Sequence, residues 1–151
     1  MSKAHFNDLG ELDDLVTFAD YAELTRLALE VAWRVDNGQA VTLPDLFTED
    51  GSIATLGEPH VGHDAIRSWG LMMDTDSPIP GVRHVLTNFR FTGSGPATAM
   101  GTMYITAYLD GAPAGQRTLP FAMGLGTDHY RRTSNGWKVA SRGFDPYFLR
   151  E

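Results

Sequence analysis

The chain has 151 residues, 42% of them apolar and 21% charged, with a net charge of −7 at neutral pH and no cysteine. That length suits one domain with its own core and is too short for two. The acidic balance argues against nucleic acid or an anionic membrane as partner, the lack of cysteine excludes disulfide and thiolate chemistry, and no apolar run nears the roughly 20 residues of a membrane span. The N-terminus shows no basic segment followed by an apolar one, so a cytoplasmic protein is the expectation.

Residues 1–19 read as an N-terminal arm. Asn7, Asp8 and Gly10 are loop formers, while Leu12, Leu15, Val16 and Phe18 offer an apolar cover for the core. Asp20-Tyr21-Ala22-Glu23 fits a capping box, an oxygen acceptor followed by a carboxylate three residues on. A helix then runs to about Asp36. Glu23, Arg26, Glu30 and Arg34 form its polar stripe, and Leu24, Leu27, Ala28, Val31 and Val35 its apolar one. Asn37-Gly38 supplies the stop. Asp36 departs from the polar stripe: it lies three residues past Trp33, four past Ala32 and seven past Leu29, and so projects from an apolar flank. Desolvation and the negative end of the helix dipole both penalise a charged carboxylate there and make it a better proton acceptor. The plainer alternative is an Asp that caps the next turn.

Leu43 to Phe47 reads as a short helix with Pro44 near its start. Glu49-Asp50-Gly51 reads as a turn, Ser52 to Leu56 as a short strand and Gly57 to Gly62 as a loop. His60 and His63, with Glu58 and Asp64 nearby, raise the question of a metal. No third ligand stands at a recognised spacing, so none is expected. Asp64 to Met73 reads as a third helix whose Trp69, Met72 and Met73 suit a core or a pocket wall. The Pro-rich Thr75–Gly81 segment is a connection or a lid.

From Val82 the pattern changes to strands, at Val82–Thr92, Ala97–Leu109, Thr118–Thr133 and Gly136–Phe144. Short Gly-containing links join several of them, the mark of antiparallel hairpins. Helices followed by a meander predict an α+β fold, a cone-shaped barrel in which N-terminal helices pack on a curved, mostly antiparallel sheet. The mouth of such a cone is a natural small-molecule pocket. Strict alternation puts Val82, His84, Leu86 and Asn88 on one face of the first long strand, and Thr102, Tyr104, Thr106 and Tyr108 together on the second. Phe121, Met123 and Leu125 share a face on the third, and Lys138, Ala140, Arg142 and Phe144 on the last.

A polar group among apolar ones must be hydrogen-bonded and silent or be used for chemistry. His84 is such a group. Arg142 is another, to be held by a carboxylate such as Asp145 or by a substrate oxygen, unless it is a surface arginine at a strand end. No second inward-facing acid is read on the strands. The expected pocket wall is Trp33, Trp69, Met72, Phe121, Met123 and Phe144, which calls for a mostly apolar, cyclic, oxygenated substrate. Asn88 and Tyr104 stand with Arg142 as groups to steady developing negative charge. No metal or organic cofactor is required by this reading. Val85, Phe89, Phe91 and Tyr130 are assigned to the uncovered face of the sheet, which predicts a homo-oligomer, dimer or trimer.

The segments Leu24-x-x-Leu27, Val35-Asp36-Asn37-Gly38, Leu46-Phe47-Thr48-Glu49-Asp50-Gly51, Gly62-x-x-Ala65-Ile66, Arg83-His84-x-x-Thr87-Asn88, Tyr130-x-Arg132 and Gly136-Trp137-Lys138 through Arg142 occur in one order. Together, over about residues 20–145, they resemble the SnoaL-like branch of the nuclear transport factor 2-like superfamily. The pattern is most similar to the scytalone dehydratase, bile-acid 7α-dehydratase and hexachlorocyclohexane dehydrochlorinase members. The resemblance implies an Asp–His pair at Asp36 and His84, in which the Asp orients the His and the His removes a proton as a leaving group departs, with Arg142 assisting. It implies a cofactor-independent lyase of the dehydratase type, or an isomerase. Two other classes on the same fold stay open: a module that binds a small ligand without turnover, and the small subunit of a ring-hydroxylating dioxygenase-like assembly.

Overall fold

The architecture is that of a computed structural model describing residues 16–150. Most of the expected N-terminal arm therefore lies outside the described residues. Its last part does not: helix α1 spans Phe18–Asp36. Thr17 is its N-cap, and the Thr17 hydroxyl accepts from the backbone N–H of Asp20 at 3.1 Å. The cap thus falls three residues before the expected one. Asp20, already inside the first turn, has another task. Its carboxylate accepts from Trp137 Nε1 at 3.0 Å and from Arg132 at 2.6 Å, tying the helix start to the last hairpin. The hydrogen bond from Trp137, aided by Arg132, holds the Asp20 carboxyl below its usual range. Leu24, Ala28, Val31 and Ala32 are the buried stripe of α1, and burying a Leu or Val side chain contributes about 1.5–3 kcal/mol each.

A 3-10 helix (Ala40–Leu46) follows, then strand β1 (Phe47–Ala54), the two-residue strand β2 (His60–Val61) and helix α2 (His63–Thr75). The expected turn at Glu49–Gly51 is a bulge within β1, and His60 is in a strand rather than a loop. α2 docks closely on the 3-10 helix. Asp74 accepts from the N–H groups of Ala40 and Val41 at 2.9 Å each. Gly70 lies so near that a Cβ there would collide with the Ala40 carbonyl group. The long strands are β3 (Val82–Gly95), β4 (Thr98–Leu109), β5 (Ala122–Thr133) and β6 (Gly136–Leu149).

These strands make one six-stranded sheet in the order β2-β1-β6-β5-β4-β3. β1 runs parallel to β6 and the other pairs are antiparallel. The sheet curls around α1 without closing, so β2 and β3 are its two edges. This is a cystatin-like, nuclear transport factor 2-like α+β fold. β6 continues past Phe144 to Leu149, and Pro146 is tolerated there because it sits at a register shift opposite Met123 and Gly124.

Two further irregularities decide which side chains look inward. Between Thr87 and Arg90 the β3–β4 register shifts, and Asn88 takes a left-handed φ of 57°. A single extra residue reverses the alternation beyond it. Asn88 is therefore exposed, and Phe89 and Phe91 turn inward. Phe91 is buried against Phe89, Tyr21 and Tyr130. The same thing happens on β6: His129 pairs with Ser141 but Tyr130 with Val139, leaving Ala140 as the extra residue. Trp137, Val139, Arg142 and Phe144 then share the inner face, where strict alternation had separated them.

On β4 the inner face is Ala99, Gly101, Met103, Ile105 and Ala107, and on β5 it is Ala122, Gly124, Gly126, Asp128 and Tyr130. Both are the opposite of the expected faces. Tyr104 consequently lies on the outer face, edge-on to Tyr147, and Met123 is on the outer face too. The apolar face invoked for an oligomer also changes. Of its four residues only Val85 is exposed; Phe91 and Tyr130 are buried beneath α1 and Phe89 is half-buried. Among the described residues no helix is long and apolar enough to cross a membrane.

Candidate active site

The C-terminus of α1 abuts edge strand β3 because the helix crosses the inner face of the sheet and ends at Asp36. The Asn37 cap closes back on the Trp33 carbonyl and Gly38, at φ 68°, turns the chain away. Asp36 is thereby held against His84. Asp36 Oδ2 accepts from the backbone N–H of His84 at 2.8 Å, and Asp36 Oδ1 lies 2.5 Å from His84 Nδ1. Arg83 secures the same junction from outside, donating to the Asp36 carbonyl at 2.9 Å and pairing with Asp110 at 3.1 Å. The Asp36 side chain is 10% exposed and that of His84 21%. With the carboxylate ionised, Nδ1 carries the hydrogen, and Nε2 is left as the acceptor. Among the described residues Nε2 makes no hydrogen bond.

His84 forms part of the wall of a cavity of about 480 Å³ between the helices and the inner face of the sheet. The wall is mostly apolar. Trp69, Met72, Phe121 and Phe144 belong to it, together with Ile105 and Leu86. Trp33 does not: it is 60% exposed and flanks a separate outer groove, of about 420 Å³, that reaches Asp36 and His84 from the other side of α1. Asn88, Tyr104 and Met123 are likewise absent from the cavity wall, for the reasons of strand phase given above.

Arg142 is on the wall and is 6% exposed. Its carboxylate partner is Asp128 on β5, not Asp145. Nε donates to Asp128 Oδ1 at 2.8 Å and Nη2 to Oδ2 at 2.6 Å, with a third contact from Nη2 to the Ala28 carbonyl at 3.2 Å. Tyr130 donates its hydroxyl to Asp128 Oδ2 at 2.6 Å. Burial alone would weaken the guanidinium's hold on its proton, but the charge and hydrogen bonds of Asp128 more than offset this, and its pKa rises. The Tyr130 hydroxyl is pushed well up by burial and then by the Asp128 charge, so it remains a donor. Asp128 is the inward strand acid that alternation alone misses. A signal was present: Gly124, Gly126, Asp128 and Tyr130 are spaced by two, and two glycines on one face make room for bulky groups opposite.

Among the described residues there is no group of three His, Asp or Glu side chains placed to hold a metal ion. His63 Nε2 instead lies 3.0 Å from the Phe47 carbonyl oxygen.

The pattern of a SnoaL-like domain matches residues 16–143. The chain belongs to the SnoaL-like family. No curated protein matches the sequence significantly. Solved structures with the same fold include a protein of unknown function with a cystatin-like fold from Nostoc punctiforme, 20% identical, with a TM-score of 0.74 over 87% of this chain and 94% of that one. A candidate scytalone dehydratase from Novosphingobium aromaticivorans is 17% identical, with a TM-score of 0.70 over 87% of each chain. The hexachlorocyclohexane dehydrochlorinase of type 3 from Novosphingobium barchaimii is 16% identical, with a TM-score of 0.72 over 87% of this chain and 89% of that one. These structural neighbours thus include a dehydrochlorinase and a candidate dehydratase as well as a protein of unknown function.

Proposed function

We propose that this SnoaL-like protein is a cofactor-independent lyase that eliminates a leaving group from an apolar, cyclic, oxygenated small molecule, with His84 as general base. The observation that carries the reading is the double grip of Asp36 on His84, at ring and backbone, beside an apolar cavity. A carboxylate on Nδ1 fixes the tautomer and stabilises the imidazolium that forms when Nε2 takes a proton. The proton comes from a carbon next to a carbonyl or to the leaving group. As that bond breaks, the electron pair forms the new double bond or passes to the carbonyl oxygen. Arg142, a buried and permanent cation on the same wall, steadies the negative charge that develops there. Proton return to a different carbon would make the same apparatus an isomerase. The likeness to a dehydrochlorinase and a candidate dehydratase supports the elimination.

The test separates proton removal from the fate of the leaving group. Cyclic ketones are incubated with the protein in deuterated water and exchange at the carbon beside the carbonyl is followed by NMR. The expected result is catalysed exchange, lowered about 10²–10⁴-fold in His84→Ala. Exchange that survives this substitution would rule out His84 as the base.

A further inference from the structure

His60 is unused by the scheme above, yet it shares the cavity with His84 and Arg142. It comes from β2, the edge strand opposite β3. Cα pairing places His60 beside Ile53, and Ile53 beside Arg142, in one row across β2, β1 and β6. Two strand spacings put the His60 and Arg142 backbones roughly 10 Å apart. His84 belongs to a second row, running through Ala107 and Ala122 to Leu149, and all four residues line the cavity. The two imidazoles therefore enter one apolar chamber from the two free edges of the curled sheet. The His60 ring leans on Trp69, with centroids 6.0 Å apart and planes 35° from parallel, which limits its rotation. Among the described residues the ring makes no hydrogen bond or ion pair. It is a half-buried donor and acceptor with only an aromatic neighbour.

The cavity wall holds three titratable side chains, His60, His84 and Arg142. Their capacities differ. His84 is committed to Asp36. Arg142 is locked to Asp128 and its raised pKa keeps its proton in place. Imidazole is the side chain able to give a proton near neutral pH.

We propose that His60 is the general acid of the elimination, and that the leaving group is accordingly a hydroxyl or alkoxy oxygen, which needs a proton to depart. The inference rests on His84 being the base. In the step, His84 Nε2 takes the proton from the carbon beside a carbonyl. The C–H pair becomes the C=C bond and the C–O bond on the next carbon breaks. Its electron pair is capped by the proton of the His60 imidazolium, and water or an alcohol leaves. One proton is gained by His84 and one lost by His60, so that exchange with solvent resets both. A substrate spanning the chamber presents its acidic C–H towards β3 and its oxygen towards β2.

The decisive comparison varies only the leaving group. 3-Hydroxycyclohexanone requires protonation of its oxygen, whereas 3-(4-nitrophenoxy)cyclohexanone releases a stable anion. His60→Phe keeps a ring against Trp69 and removes the proton. It is expected to lose about 10²–10⁴-fold on the hydroxy ketone and to stay within about threefold of wild type on the nitrophenoxy ketone. His60→Gln, a hydrogen-bond donor that gives up no proton, is expected to behave as His60→Phe does in turnover. Equal losses on both substrates, or none on the hydroxy ketone, would overturn the proposal. Failure of the base assignment would look different: His84→Ala would retain both eliminations while His60→Phe kept its leaving-group dependence. Binding adds a measurement that needs no turnover. By NMR titration the wild-type protein is expected to hold 3-hydroxycyclohexanone more tightly than cyclohexanone, a preference kept by His60→Gln and lost in His60→Phe. Equal wild-type affinity for the two ketones counts against His60 as the oxygen's partner.

Discussion

Asp36 and Asp128 are two inward carboxylates, each beside the cavity's machinery and each with a nitrogenous partner. They are built for different ends. Asp128 is wholly buried and its partner, Arg142, is a permanent cation that it grips through two oxygens, with Tyr130 adding a third donor. Asp36 stands at a helix end with its side chain partly exposed, and its partner is an imidazole that changes charge when a proton arrives. A buried ion pair with a fixed charge holds a sheet in shape and presents a steady field. A carboxylate–imidazole pair at a cavity rim can pass protons. Burial of an acid therefore says little about its role until its partner is known.

Removing each acid in turn gives the sharpest test of the contrast. Asp128→Ala leaves the Arg142 guanidinium buried without its counter-charge, which is expected to lower stability by about 3–5 kcal/mol. Urea unfolding measures it, and a loss under about 1 kcal/mol would show that the pair is not sealed from solvent as described. Asp36→Asn is expected to do the reverse. Its cost in stability is about 1 kcal/mol, while exchange catalysed by His84 falls by about 10² or more because the tautomer is no longer held. Should the Asp36→Asn substitution leave the rate unchanged, the coupling between the two side chains has no chemical consequence. The smallest effect concerns a third acid, Asp20, which joins α1 to the last hairpin at the surface. Asp20→Asn is expected to remove about 1 kcal/mol at pH 7. Because the folded protein holds this carboxyl below its ordinary value, the contribution is present above the unfolded pKa of about 4. It fades as the pH falls through the lower folded value. Denaturation of the two proteins side by side at pH 7 and below about pH 4 reads it, and a difference that grew on acidification would contradict the sign.

The sequence carried a large share of the fold and an uneven share of the site. Helix periodicity and the Asn37-Gly38 stop placed Asp36 at a helix end, since such signals act within a few residues. Turn residues and β-rich runs placed four long strands in order, though the register inside them was another matter. Asn88 and Phe91 were assigned to the wrong face because alternation has a memory of one residue: a single bulge reverses everything after it. Tyr104, Met123 and Tyr130 were misplaced because β4 and β5 alternate without a break but with the opposite face turned inward, which alternation by itself does not decide. The β3 bulge at Asn88 and the β6 bulge at Ala140 leave little trace in composition. Trp33 failed for a different reason. Its position on the helix was right, but the curl of the sheet covers only part of the helix surface, and Trp33 falls on the uncovered flank.

By itself, then, the sequence determined a fold of α+β type, helices before strands, an acid on an apolar helix flank and a histidine near the start of the first long strand. Those follow from local propensity and periodicity, which act over a few residues. Only the tertiary structure decided how Asp36, paired with His84 by resemblance, holds it at both ring and backbone across 48 positions, that Asp128 rather than Asp145 neutralises Arg142, and that His60 faces His84 from the opposite edge. Each of these depends on strand register and sheet curvature, which long-range packing sets and no short stretch of chain encodes.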